Sequence, residues 1–196
     1  MAKNLIQNNC DLVTTTPETA SAQLVSAQAL VLCQSSSTTA LTQDFLNLAQ
    51  YPYTNFMLTY NVVYSAVNSG EVFMRVSTNN GASFIASGYQ SGTGYISFNG
   101  SNLSNASSTS TIQMNCPTFA GSSSIISAEI YLYGLNSGTG TITCTAYSYS
   151  SNAGTNSYPS VSTSIITAGA AVNALRLVSS VGTVSVAKYN LWGING

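Results

Sequence analysis

Short runs of apolar and β-branched residues, separated by Gly, Asn and Ser, dominate the chain from about residue 55 onward. Residues 71–77 show the pattern clearly, because Val72, Met74 and Val76 alternate with polar residues and Phe73 is the exception. Side chains of a β-strand point alternately to opposite faces of the sheet, so this segment is predicted to be a half-buried strand. Runs at this spacing are typical of a β-sandwich or barrel. We therefore predict an all-β, antiparallel fold.

The clearest turn signal is Asn79-Asn80-Gly81, which directly follows this strand. Asn-Gly tolerates positive φ at both central positions of a tight hairpin turn, so residues 82–88 are predicted to return as the partner strand. The same reasoning predicts further strands at Gly94–Asn99, Ser110–Cys116, Ile125–Tyr133, Thr139–Ser148, Ser160–Thr167, Val172–Ser179 and Thr183–Trp192.

The length of 196 residues suits one domain with a two-sheet core. Residues 1–22 are polar with scattered apolar positions and are predicted to form an extended N-terminal arm, followed by a single domain over residues 23–196. Within that domain, residues 23–33 are predicted to be a strand and residues 42–49 a short helix or a strand. Polar composition predicts long loops at Ser35–Thr39, Asn99–Ser110 and Ser148–Ser160.

Charged residues make up 5% of the chain, against roughly a quarter in an average soluble domain. The four Lys and Arg residues cannot neutralise a run of phosphates, so nucleic acid is not predicted as a partner. A net charge of -1 leaves self-association unopposed and favours a homo-oligomer over a monomer kept soluble by hydroxyl groups. No segment approaches the roughly 20 apolar residues of a membrane span, and the N-terminus lacks the apolar stretch of a signal peptide. Neither a membrane partner nor secretion is predicted.

The residues for catalysis are scarce, because the chain contains no histidine. Histidine is the commonest general base and transition-metal ligand. A glycosidase would need two facing carboxylates, but Glu71 and Glu129 are expected on outer or interface faces, with Arg75 or Arg176 as partners. No acidic cluster matches a calcium loop. We predict no catalytic residue, no cofactor and no metal site.

The cysteines Cys10, Cys33, Cys116 and Cys144 are widely spaced, and no C-x-x-C pair indicates zinc or a redox motif. In a chain without an export signal they are predicted to be buried thiols, with a disulfide between strands as the alternative. Cys144 occupies an apolar position of an alternating segment, so its side chain is predicted to point into the core.

The twelve tyrosines are the abundant side chain with functional potential. Tyr131 and Tyr133 share one face of a predicted strand, and Tyr147 and Tyr149 cluster before a polar stretch. An amphipathic ring can anchor a protein interface or stack on a sugar, whereas each tyrosine alone could simply line a sheet. These four residues are the candidate interface or glycan contacts.

Three segments carry a resemblance to a known family. Residues 74–84 read MRVSTNNGASF, residues 128–134 read AEIYLYG, and residues 172–180 read VNALRLVSS and are followed by YNLWGI at 189–194. In this order they resemble a family of small jelly-roll domains in virion proteins of tailed bacteriophages, over about residues 40–196. The likeness departs where the family has Gly after the Ser at position 180, because Val181 intervenes here. The resemblance implies a jelly-roll-like β-sandwich, a homotrimer and a place on the outside of a phage particle.

Two functions follow from these observations. The first is a capsid decoration (cement) protein, in which the sandwich trimerises and the N-terminal arm binds the major capsid protein by strand addition. The alternative is a short tail fibre or tail-tip adhesin that joins tail proteins and binds host-surface glycan. Both would place the protein on the virion surface after assembly in the host cytoplasm, and the short chain favours decoration. A polysaccharide-degrading enzyme is disfavoured, because five acidic residues and no histidine provide little for catalysis.

Overall fold

The computed structural model describes residues 6–7, 11–12, 30–66, 72–96, 103–113, 125–152, 156–179 and 183–194. A 3-10 helix spans Leu48–Gln50. The strands in chain order are β1 (Ile6–Gln7), β2 (Asp11–Leu12), β3 (Leu30–Thr38), β4 (Thr42–Phe45), β5 (Asn55–Ala66), β6 (Val72–Ser77), β7 (Tyr89–Ile96), β8 (Leu103–Ser108), β9 (Ile112–Gln113), β10 (Ile125–Tyr133), β11 (Thr141–Asn152), β12 (Asn156–Thr167), β13 (Ala174–Ser179) and β14 (Thr183–Ile194).

The strands form two main antiparallel sheets of unequal size. The larger sheet has eight strands in the order β3-β14-β5-β10-β11-β12-β7-β8, and the smaller has four in the order β4-β13-β6-β9. The predicted all-β, antiparallel sandwich is therefore confirmed. β1 and β2 pair with each other within the predicted arm, and the rest of residues 1–22 lies outside the described residues, so the arm stays a prediction.

The core lies between the two sheets because each strand alternates buried and outward side chains. In β10, Ile126, Ile130 and Leu132 are buried, whereas Ile125 and Tyr133 are exposed. The smaller sheet contributes a buried layer of Val72, Met74, Val76, Leu175 and Leu177 to the same hydrophobic cluster. Full burial of one such side chain contributes roughly 1.5–3 kcal/mol, so this shared cluster is the main stabilising contact between the sheets.

One ion pair joins strands of the smaller sheet. Arg176 in β13 donates from Nε and Nη2 to the two carboxylate oxygens of Asp44 in β4, both at 2.7 Å. Its guanidinium also lies 4.1 Å from the centre of the Phe84 ring. Arg176, one of the two arginines predicted as possible partners of Glu71 and Glu129, does not pair with Glu129, because Asp44 is its direct cross-strand neighbour and Glu129 lies in the other sheet. Glu71 lies outside the described residues.

Several polar stretches that were predicted to be loops are strands. Residues 35–38 belong to β3, residues 103–108 form β8, and β11 and β12 extend through most of residues 148–160. The hydroxyl groups of these strands bond across the sheet, since Ser162 bonds to Thr93 and Ser164 donates to Ser91, each at 2.7 Å. Buried Ser and Thr side chains satisfy one another in pairs, so the polar composition is compatible with a strand.

The Asn79-Asn80-Gly81 segment turns the chain as predicted, but no hairpin follows. Asn80 and Gly81 have positive φ values of 55° and 85°. The Ile85 amide returns to the Val76 carbonyl at 2.9 Å, yet residues 82–88 form no strand. The chain crosses to the larger sheet instead, where β7 pairs with β12 and β8.

Glycine is required at position 193 in β14 because the ring of Tyr53 lies close to the backbone there. A methyl group at this position would lie 2.0 Å from Cδ2 of the Tyr53 ring. The ring of Tyr53 meets that of Phe56 edge-on, with centroids 6.2 Å apart. The glycine therefore lets an aromatic side chain lie against the backbone of β14.

Buried ionisable side chains make the core sensitive to alkaline pH. Burial, together with repulsion from Tyr64, raises the pKa of Tyr189 from 10.0 to about 12. Burial likewise raises the pKa of Tyr60 well above its ordinary value. Burial also raises the pKa of Cys144 to about 12, and this thiol is free and buried, as predicted. Cys33 is also a free thiol, and Cys10 and Cys116 lie outside the described residues.

We predict that the fold loses stability above pH 10. Since the pKa of Tyr189 is higher in the folded state than in the unfolded state, its contribution is complete below pH 10 and is lost as pH rises through about 12. The Tyr189→Phe variant should lose less of its free energy of unfolding between these pH values, by about 2 kcal/mol. Urea titrations at pH 8 to 12 measure this difference. Equal losses in Tyr189→Phe and wild type would contradict it.

Candidate binding face

The four predicted tyrosines lie on the outer face of the larger sheet. In β10 and β11 the odd-numbered residues point outward, which places Tyr131, Tyr133, Tyr147 and Tyr149 on one surface with Glu129. We call the outward side chains of β10, β11 and β12 the tyrosine face; its members within the described residues are Ile125, Ser127, Glu129, Tyr131, Tyr133, Thr141, Thr143, Thr145, Tyr147, Tyr149, Ser151, Pro159, Val161, Thr163, Ile165 and Thr167.

Cross-strand register fixes the arrangement of the rings. Glu129 lies directly opposite Tyr147, and Tyr147 lies directly opposite Val161. The ring of Tyr131 meets that of Tyr147 at 80° with centroids 6.4 Å apart. An edge-to-face pair of this kind holds both rings in a defined orientation. The sequence predicted one common face for Tyr131 and Tyr133, and the register of β10 and β11 adds Tyr147 and Tyr149 to the same surface.

A long open groove runs beside these rings. It has a volume of about 730 Å³ and is bounded by Glu129, Tyr147, Tyr149, Pro159 and Val161. Gly94 of β7 also lines the groove. Because glycine has no side chain, nothing projects from the sheet at this position and the groove stays open there. A smaller hollow of about 320 Å³ lies between Tyr131, Tyr133, Thr145 and Tyr147.

The tyrosine face also carries most of the exposed large apolar side chains of the described residues. Tyr147 is 53% exposed and Val161 is 47% exposed. Four more side chains on the same face, Ile125, Tyr133, Tyr149 and Ile165, are 37% to 44% exposed. Val161 and Ile165 were not predicted as part of this face. They alternate with Ser160, Ser162 and Ser164 in the sequence. That alternation assigns them to the outer face only because the structure shows the serines to be buried.

Charge on the outer face of the larger sheet is confined, among the described side chains, to Glu129 and Lys188. Lys188 in β14 lies opposite Asn61 in β5, which lies opposite Ser127 in β10. The two charges are thus two strands and two residues apart, a separation of roughly 12 Å. The Asp44–Arg176 pair is the only ion pair within the described residues, so Glu129 and Lys188 are solvated separately in a single copy.

The described side chains offer little for catalysis. They contain no group of three or more His, Cys, Asp or Glu residues that could hold a metal ion. Ser185 and Lys188 could suggest a serine–lysine pair, but Ser185 donates its hydroxyl to the Val63 carbonyl at 3.0 Å. No helix within the described residues is long and apolar enough to cross a membrane.

The chain matches no family model, no curated protein and no solved structure. The resemblance to phage jelly-roll domains stays a prediction from three sequence segments.

Proposed function

We propose that this protein is a non-enzymatic structural protein of the bacteriophage virion surface, a capsid decoration (cement) protein that assembles as a homotrimer through its tyrosine face. The observation that carries the proposal is a broad, ordered and largely uncharged sheet face with exposed aromatic and aliphatic side chains. The resemblance to phage surface domains supports the virion setting, and the apolar face supports assembly.

The size of the face supports a protein partner. Three strands about 4.8 Å apart and about 27 Å long present roughly 400 Å². Glu129 and several Ser and Thr side chains share this area with six exposed apolar side chains. The largest apolar patches of soluble proteins, which cover about 300–600 Å², are often functional. Adding the neighbouring strands β5 and β14 gives roughly 650 Å², which approaches the ~800 Å² that each partner buries in a stable interface.

The charges support a second copy of the same chain as that partner. A net charge of -1 for the whole chain produces little repulsion between copies. The outer face of the larger sheet, of which the tyrosine face is part, carries one acid and one base, Glu129 and Lys188, which do not pair within one copy. In a cyclic trimer two different patches of each subunit meet, so Glu129 of one copy can pair with Lys188 of the next. Burying either charge without a partner would cost free energy of association. Two copies can therefore pack closely through this face only if Glu129 and Lys188 pair.

A charged substitution at the most exposed aliphatic side chain of the tyrosine face is predicted to weaken self-association. Val161→Glu would place an unpaired carboxylate in the interface and should raise the dissociation constant by at least about tenfold. Sedimentation equilibrium measures the change. Leu41→Glu is the matched control, because Leu41 is similarly apolar and exposed but lies in the β3–β4 turn. Equal effects of the two substitutions would contradict the proposed interface, and a monomeric wild type would contradict self-association.

Charge reversal tests the pairing between copies. Glu129→Lys and Lys188→Glu should each weaken association by about tenfold, because each creates a like-charge contact, and the double variant should recover most of the loss. Sedimentation equilibrium at low and moderate salt measures all four proteins. Additive losses in the double variant would show that the two residues do not meet.

The position of the protein on the phage particle distinguishes capsid decoration from the alternative function, a tail adhesin. The groove beside Tyr147 and Tyr149 is the observation that favours a tail adhesin, since aromatic rings beside a carboxylate can hold a neutral sugar. Gold-labelled antibody against the protein should cover the phage head if it decorates the capsid. Label at the tail tip would support the adhesin, and virions without label would contradict a virion protein.

A further inference from the structure

Three asparagines from distant parts of the chain form a clasp at one end of the sandwich. Asn80 Nδ2 donates to Asn47 Oδ1, and the Asn47 amide donates to Asn80 Oδ1, both at 2.6 Å. The Asn80 amide donates to Asn173 Oδ1 at 2.7 Å. The Asn173 side chain in turn donates to the Thr78 carbonyl at 3.2 Å. We call Asn47, Asn80 and Asn173 the asparagine clasp; it ties the segment before the 3-10 helix, the turn after β6 and the loop before β13.

Asn80 precedes Gly81, and this pair of residues is chemically reactive. In an unconstrained Asn-Gly segment the glycine backbone nitrogen attacks the asparagine side-chain carbon. A new C–N bond closes a five-membered imide, the bond from that carbon to Nδ2 breaks, and ammonia leaves with the proton from the glycine amide. Water then adds across either carbonyl–nitrogen bond of the imide to give aspartate or isoaspartate. Glycine favours the reaction because it has no side chain to hinder the approach.

The folded structure engages both groups that would react. The Gly81 amide donates to the hydroxyl of Ser77 at 3.0 Å, and Ser77 is fully buried. The amide group of Asn80 is held at its oxygen and at its nitrogen by Asn47. Attack requires the Gly81 amide to leave the Ser77 hydroxyl and the Asn80 amide group to leave Asn47, so the reaction has to wait until these hydrogen bonds open.

We propose that Asn80 is a deamidation site that the asparagine clasp keeps closed in the folded protein. Deamidation of Asn80 would also keep the asparagine clasp from closing again. After conversion to aspartate, the Nδ2 donor is replaced by a carboxylate oxygen that faces the Oδ1 acceptor of Asn47. Two acceptors repel, so the modified turn separates from Asn47 and the clasp stays open. The turn after β6 thereby becomes a place where covalent ageing of the protein loosens one end of the sandwich.

Peptide mapping by mass spectrometry tests this proposal on the full-length protein held at alkaline pH. Asn80 in the folded wild type should convert several times more slowly than Asn80 in the same chain unfolded in urea. Asn47→Gly removes the acceptor for Asn80 Nδ2 and suits the positive φ of 57° at this position. It should speed conversion by about fivefold, the effect of losing one net hydrogen bond.

Two further variants separate the clasp from general destabilisation. Asn47→Asp keeps an acceptor for Asn80 Nδ2 and should convert at the rate of the wild type. Tyr64→Phe removes a side-chain hydrogen bond in the core, 3.0 Å to the Ser179 hydroxyl, and it should leave the rate at Asn80 unchanged. Equal rates in folded and unfolded wild type, or an unchanged rate in Asn47→Gly, would overturn the proposal.

Discussion

The hydrophobic packing of one face of the larger sheet against the smaller sheet is the interaction on which the rest of the structure depends. It fixes the register of β5, β10 and β14, since a shift of one residue would move every buried side chain to the solvent face. Once Phe56, Ile130 and Leu191 are buried, the alternate residues of the same strands must face outward. The tyrosine face is the direct consequence of that alternation.

Alternation made part of this arrangement predictable from sequence. Ile125–Tyr133 was predicted with its observed bounds, Cys144 was assigned to the buried face, and Tyr131 and Tyr133 were assigned to one common face. The strands within the polar stretches 35–39, 99–110 and 148–160 were not predicted, because polar composition was taken as a sign of loops. Their hydroxyl groups bond to partners on neighbouring strands, as Ser35 does to Asn190, and such pairs become visible only when the strand order is known. The Asp44–Arg176 pair joins residues 132 positions apart and has no local signal.

In the candidate site, too, the residues that are neighbours along one strand were predictable from sequence, and the neighbours across strands were not. Periodicity placed Tyr131 with Tyr133 and Tyr147 with Tyr149, but the neighbours Glu129 and Val161 follow from the register of three strands. The groove arises where Gly94 of β7 comes beside β12, a contact between segments that are far apart in sequence. An assembly that covers this face would therefore depend on the whole sheet and not on a short motif.

Hydroxyl-radical footprinting across a dilution series measures most directly whether this face is covered in the assembled protein. If copies pack through the tyrosine face, oxidation of Tyr147 and Tyr149 should be slow at high protein concentration and should rise on dilution, while oxidation of Leu41 in the β3–β4 turn stays constant. If the protein sediments as an oligomer at high concentration, but the oxidation rates of Tyr147 and Tyr149 do not change on dilution, packing through this face is contradicted.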